Sequence, residues 1–212
     1  MTSWISKIIE RKIKSNNWFT ISIYGNQVDN IIEALINEFR PSMIITNKPF
    51  LTHIRDEIFI LEINPHNIID RKRELIQIIK NIENINATFY YIPYISFHLK
   101  FNIIPQSYAA LYRIILSEIT LLRTLIQMKG VKKLIVIFPS KYIYINSDLI
   151  PIPLYKKVIT LISDAIFLIM KNRLIQIKPK LISYIDGEEH LSNTYELKIY
   201  DILLRDWFIT YT

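Results

Sequence analysis

Gly25 closes an apolar run, Trp18 to Tyr24, and a helical pattern follows it from Asn26 to Leu35. A strand, a glycine and a helix in that order form the frame of a phosphate-binding loop, G-x-x-x-x-G-K-[ST]. Such a loop works because its glycines let backbone N–H groups converge on the anion, its lysine neutralises charge and its hydroxyl holds magnesium. Here Gly25 and Asn26 open the frame, but Asn30, Ile31 and Ile32 stand where the second glycine, the lysine and the hydroxyl belong. An asparagine and two isoleucines cannot bind a triphosphate, so the frame reads as a degenerate one without a nucleotide cofactor.

Other candidate chemistry is sparse. There is no cysteine, which removes thiol nucleophiles, disulfides and thiolate zinc sites, and four scattered histidines give no metal-ligand spacing. No metal site is expected. Pro41-Ser42 followed by Glu62-Ile63-Asn64 has the outline of a P-D…(D/E)-x-K nuclease pattern in which serine and asparagine replace the metal-binding aspartate and the lysine. Glu196-Leu197-Lys198, with Asp186 upstream, supplies the same letters near the carboxyl end. Glu188-Glu189-His190 reads as an exposed acidic turn.

The basic residues are more informative. A net charge of +7 and a pI near 9.4 point to an acidic partner. Arg71, Lys72 and Arg73 open a helix, where phosphate contact competes with ordinary ion pairing along a solvated face. Lys141, Tyr142 and Tyr144 mix cation with aromatic, as a surface that stacks single-stranded bases would. Lys171, Arg173, Lys178 and Lys180 bracket one strand, whose span of about 20 Å lets clusters at its two ends follow a single phosphate track.

The elements that must position these groups follow from periodicity. A first helix runs from Ser3 to about Asn16, strand one from Phe19 to Tyr24, and a helix from Asp29 to Phe39. Strands are predicted at Ser42 to Thr46, Ile58 to Ile63, Thr88 to Tyr94 and Leu134 to Phe138, with helices from Ile68 to about Ile82 and from Ser107 to Met128. Pro151 and Pro153 introduce a helix predicted from Leu154 to Asn172. One or two strands lie between Leu174 and Ile185, Asp186-Gly187 is a turn, and a short helix followed by a strand fills Tyr195 to Thr212. The alternation implies an α/β sheet with crossover helices, formed by one domain over 1–212, with an N-terminal helix in 1–17 and the core in 18–212.

That order and its corner residues resemble the ATPase core of RecA/RadA-type recombinases and their paralogues. Ile23-Tyr24-Gly25 is similar to the family's I-Y-G lead into its phosphate loop. Ile60-Leu-Glu-Ile-Asn64 and Asp70-Arg-Lys-Arg-Glu-Leu75 resemble its Y-I-D-T-E strand end and P-E-R-L helix start. Val131 to Phe138 resembles the strand that ends in the magnesium-organising aspartate, and Leu174 to Lys180 takes the place of the next strand and its DNA-facing loop. The resemblance implies a three-layer α/β fold, with a mainly parallel central sheet and helices on both faces. It also shows what is missing: Asn64 stands where the water-activating glutamate is expected, and Phe138-Pro139 where the aspartate is.

The expected function is therefore a non-catalytic RecA/RadA paralogue, an accessory in DNA recombination or repair that binds DNA with weak sequence preference, or a protein of the same fold, or itself. The alternatives are a metal-dependent nuclease of the restriction-endonuclease-like superfamily and a protein-interaction scaffold without nucleic acid. No uninterrupted apolar run reaches the roughly 18 residues of a membrane span, and the amino terminus lacks an apolar signal core, so a cytoplasmic protein is expected. Abundant isoleucine and lysine with few glycines and no cysteine are compatible with a thermophilic archaeal setting.

Overall fold

The computed structural model describes residues 3–46, 58–62, 68–80, 84–92, 108–145, 148–170, 172–191 and 194–204. The chain is a mixed α/β protein with a mainly parallel sheet, and it divides into two compact units: 1–38 together with 138–212, and 39–137.

The first unit opens with α1 (Ser3–Ser15), β1 (Thr20–Gly25) and α2 (Val28–Glu38). On α1 the buried residues Ile5, Ile8, Ile9 and Ile13 fall at helical spacing, and this stripe packs against α2. Lys7, Arg11 and Lys14 point to solvent. The remaining elements of unit 1 come after residue 138.

The second unit is a parallel sheet with two crossover helices. It contains β2 (Ser42–Thr46), β3 (Ile58–Glu62), α3 (Ile68–Lys80), β4 (Ala87–Tyr91), α4 (Tyr108–Met128) and β5 (Lys133–Ile137). Its strands lie in the order β5-β4-β2-β3, all parallel. Every residue of β2 and β4 is buried, as expected of parallel strands covered on both faces. α4 buries Ile115, Ile119, Leu122 and Ile126 along one stripe and ends at Gly130, whose φ of 73° suits a helix terminus. The Tyr90 hydroxyl donates to the buried Glu118 carboxylate on α4.

Back in the first unit, the chain forms β6 (Ser140–Ile145), β7 (Asp148–Pro153), α5 (Lys156–Ile162), β8 (Ala165–Met170), β9 (Arg173–Lys178), β10 (Ile182–Ile185), β11 (Glu188–His190) and α6 (Thr194–Leu204). β8 pairs in parallel with β1, and β9, β10 and β11 continue from it by antiparallel pairing. β6 and β7 make a separate antiparallel hairpin. The β10–β11 turn is Asp186-Gly187, with φ of 51° and 95°, the double left-handed geometry of a two-residue hairpin loop.

Three parts of the first unit differ from the sequence reading, the smallest being Glu188-Glu189-His190, an expected acidic turn that instead forms the exposed strand β11 against β10. The helix predicted from Leu154 to Asn172 is only α5; the rest is β8, a buried central strand. Ala165-Ile-Phe-Leu-Ile-Met170 has no polar residue to mark a face, so its period cannot separate buried helix from buried strand. The structure decides through Asp164, whose Oδ2 accepts the backbone N–H groups of Phe19 (2.9 Å) and Thr20 (2.8 Å), while its own N–H donates to Thr20 O (2.8 Å). These bonds break the helix at Ser163 and start β8 alongside β1. The remaining difference is the β6–β7 hairpin, in which Pro151 and Pro153 are strand residues. β7 has its one ladder with β6, so prolines on its other side interrupt nothing.

Asp164→Ala removes a charge-assisted acceptor shared by two backbone donors and should lower unfolding free energy by about 2 kcal/mol. Asp164→Asn, which keeps one acceptor oxygen, should lose less. Urea unfolding curves of the two variants check both the size and the order.

Candidate functional site

The Gly25 corner is closed to an anion by backbone and core alike. Only Asn26 and Gln27 separate β1 from α2, and Ile31 and Ile32 are fully buried on the inner face of α2. Asn30 is exposed and Asp29 adds a negative charge to the helix's first turn. Gly25 itself has φ 127°, and a Cβ placed on it would lie 2.0 Å from Ile169 O. The Asn26 N–H donates to that same Ile169 carbonyl at 2.8 Å. The glycine thus serves a strand-to-strand approach to β8, not a phosphate. Beside it, Tyr24 is fully buried; burial pushes its hydroxyl well above its ordinary pKa, so it stays protonated. Phe138, at the position where the resemblance calls for a metal-binding aspartate, is buried and its N–H donates to Ile23 O at 3.0 Å. Asn64 lies outside the described residues.

The β6–β7 hairpin rises beside this corner. Alternation along β6 places Tyr142 and Tyr144 on one face, with Leu149 of β7 directly opposite Tyr144. All three are exposed, Tyr144 at 78%. Lys141, also exposed, alternates to the other face, opposite Ile152; the rest of that face turns inward, where Ile150 and Ile152 are buried and β7 packs against β1. The Tyr142 hydroxyl donates to Asn26 Oδ1 at 2.8 Å, tying the hairpin to the corner.

The other basic residues sort into those with internal duties and those facing solvent. Arg173, at the start of β9, lies 3.8 Å from Glu196 Oε1, a carboxylate only 1% exposed that also accepts the Ser183 hydroxyl at 2.6 Å. Lys178, at the end of β9, donates to Thr160 O at 3.4 Å and to Ser163 O, so its ammonium caps the carboxyl end of α5. Lys180 is exposed. Lys171 lies outside the described residues. In the second unit, Arg71, Lys72 and Arg73 fall inside α3, which begins earlier, at Ile68; Lys72 donates to Ser117 Oγ on α4 at 2.9 Å, and Arg73 is exposed. Of the four basic residues bracketing β9, Arg173 and Lys178 are thus drawn into folding contacts, whereas Tyr142 and Tyr144 share one outward face of β6, with Lys141 exposed on the opposite face of the same strand.

The nuclease letters near the carboxyl end do not converge either, while Ile63 and Asn64 lie outside the described residues. Glu196 and Lys198 sit on α6, two residues apart on a helix, where side chains point to different sides; Glu196 is buried and Lys198 exposed. Ser42 Oγ donates to Phe39 O at 2.8 Å in a buried turn. Glu188, Glu189 and His190 form the exposed strand β11. Among the described residues no three His, Cys, Asp or Glu side chains gather into a metal-binding group, and no helix is long and apolar enough to cross a membrane. No protein-family model matches the chain, and no curated protein is significantly similar to it in sequence.

The roles of Asp164, Asn26 and Lys178 were not visible in the sequence. Each acts through a backbone group or a side chain distant along the chain, and such pairing leaves no local pattern. Lys178→Glu, by removing a helix cap and setting a negative charge against carbonyl oxygens, should cost about 1–2 kcal/mol of stability. Lys180→Glu should stay within about 0.5 kcal/mol of wild type. Thermal denaturation of the two single variants distinguishes a capping lysine from a solvated one.

Proposed function

We propose that the chain is a RecA/RadA-like domain, three-layered with helices on both faces of its sheet, that neither binds nor hydrolyses nucleotide and works as an accessory DNA-binding protein in recombination or repair. The observation that carries this reading is the strand–glycine–helix corner whose interior is filled by Ile31 and Ile32 and whose glycine is spent on Ile169. A parallel sheet with helical crossovers is the scaffold the reading requires, and the corner supports its catalytic silence.

DNA contact in this reading belongs to the β6–β7 hairpin. Tyr142 and Tyr144, two residues apart on one face, are about 7 Å from each other along the strand, a spacing that accepts extended bases one after another. Lys141 and Lys180 are solvent-facing cations for the phosphates. No element of the described chain carries a base-reading motif, so the binding is electrostatic and stacking in character and weakly selective for sequence.

Binding of a fluorescent oligonucleotide, followed by anisotropy, should weaken steeply from low to physiological salt. The double variant Lys141→Glu, Lys180→Glu should bind at least tenfold more weakly, equivalent to about 1.4 kcal/mol, while remaining folded. A folded double variant with wild-type affinity would leave a protein-binding scaffold as the better reading. In calorimetric titration, ATP with magnesium should show no micromolar binding, because at the corner Ile31 and Ile32 replace the lysine that would neutralise the anion and the hydroxyl that would hold the magnesium.

A further inference from the structure

The hydrogen bond from Tyr142 to Asn26 joins a residue of the degenerate loop to the hairpin that carries the exposed Tyr142 and Tyr144. A two-stranded hairpin alone is marginally stable in water and must lean on something. At its base, β6–β7 leans on β1 through the buried Ile150 and Ile152, and Leu154 N–H closes it onto Pro139 O at 2.9 Å. Farther out, Tyr144 and Leu149 are exposed and opposite each other. Tyr142 stands between these parts, half exposed at 49%, with its ring on the outer face and its hydroxyl on Asn26.

We propose that Asn26 is a positioning residue: its side-chain oxygen latches the β6–β7 hairpin through Tyr142, so that the corner which in a phosphate loop would hold an anion here holds the hairpin. Two features make Asn26 suited to this. Its backbone is fixed, since Gly25 is pressed against Ile169 and the Asn26 N–H is bonded to the same carbonyl. Its amide oxygen is a neutral acceptor, matched to a phenol donor. The latch sets the plane of the Tyr142 ring before any ligand arrives, which lowers the ordering cost of stacking a base there. This last consequence rests on the DNA reading; the latch itself does not.

Amide hydrogen exchange on the full chain tests the latch. Asn26→Ala and Tyr142→Phe should each speed exchange of the β6 and β7 amides about threefold to tenfold, the range expected from losing one hydrogen bond. The double variant should add little beyond either single change, because both remove the same bond. Asn26→Asp, which retains an acceptor, should exchange as wild type, and amides of β1 and β8 should be unaffected throughout. Unchanged exchange in Tyr142→Phe, or fully additive effects in the double variant, would overturn the latch. An oligothymidine titration runs beside it: Tyr142→Phe keeps the ring and should bind about threefold more weakly. A wild-type chain that fails to bind oligothymidine would overturn the DNA reading, while the exchange result alone decides the latch.

Discussion

Gly25 carries the end of β1 past the backbone of β8 at a separation that leaves no room for a side chain, since a Cβ there would fall 2.0 Å from Ile169 O. With φ at 127°, no L-residue would adopt the same backbone comfortably. Much of the first unit follows from this contact. It fixes where β1 stops and points the Asn26 N–H at Ile169 O. It also starts α2 after Gln27, so that Ile31 and Ile32 turn inward. In a phosphate loop the glycine frees backbone donors for an anion; here the donor is already taken. The same residue type at a strand–glycine–helix corner thus serves strand packing here, through the backbone at Gly25 and Asn26 as well as the buried side chains of α2.

The basic residues obey a similar division between structure and surface. A positive charge half-sunk beside carbonyl oxygens or a buried carboxylate is not available to a polyanion, because leaving would strand its partner without compensation. Lys178 at the end of α5 and Arg173 beside Glu196 are of this kind. The net charge of +7 therefore overstates the free basic surface. What remains outward among the described residues of the first unit is dispersed: Lys7, Arg11 and Lys14 on α1, Lys141 on the hairpin, Lys157 on α5, Lys180 after β9 and Lys198 on α6. At the hairpin a cation and exposed rings share one short strand, Lys141 on one face and Tyr142 and Tyr144 on the other.

Much of the fold was legible because the helices carry an apolar stripe opposite a wet face and the buried strands are short apolar runs bounded by turn or polar residues. α1, α2, α3 and α4, and strands β1 to β5, lie within a few residues of where periodicity puts them, and β2 matches at both ends. Legibility failed where the period vanished. β8 is apolar throughout, and its separation from α5 depends on Asp164 bonding to residues far back in the sequence. The hairpin was hidden because Pro151 and Pro153 are better known as helix starters than as members of an edge strand. At the candidate site, the sequence shows Asn30, Ile31 and Ile32 after the glycine, but that Ile31 and Ile32 face the core while Asn30 is exposed came from the fold. The assignment of Lys178 to a helix cap required the fold.

The hairpin is where these constraints meet. Scattered exposed apolar residues are ordinary on any protein, and Leu161 or Leu191 needs no further account. Tyr142, Tyr144 and Leu149 are different because one face of one small sheet presents all three, on strands that bury isoleucines on the reverse side. An antiparallel pair with one dry face would ordinarily turn polar residues to water on the other. Two tyrosines there supply ring faces that stack and hydroxyls that tolerate solvent, a combination suited to a ligand that is flat and wet-edged. One of those hydroxyls is spent on Asn26, so the ring nearer the corner is held while the ring nearer the hairpin's tip is left to adapt.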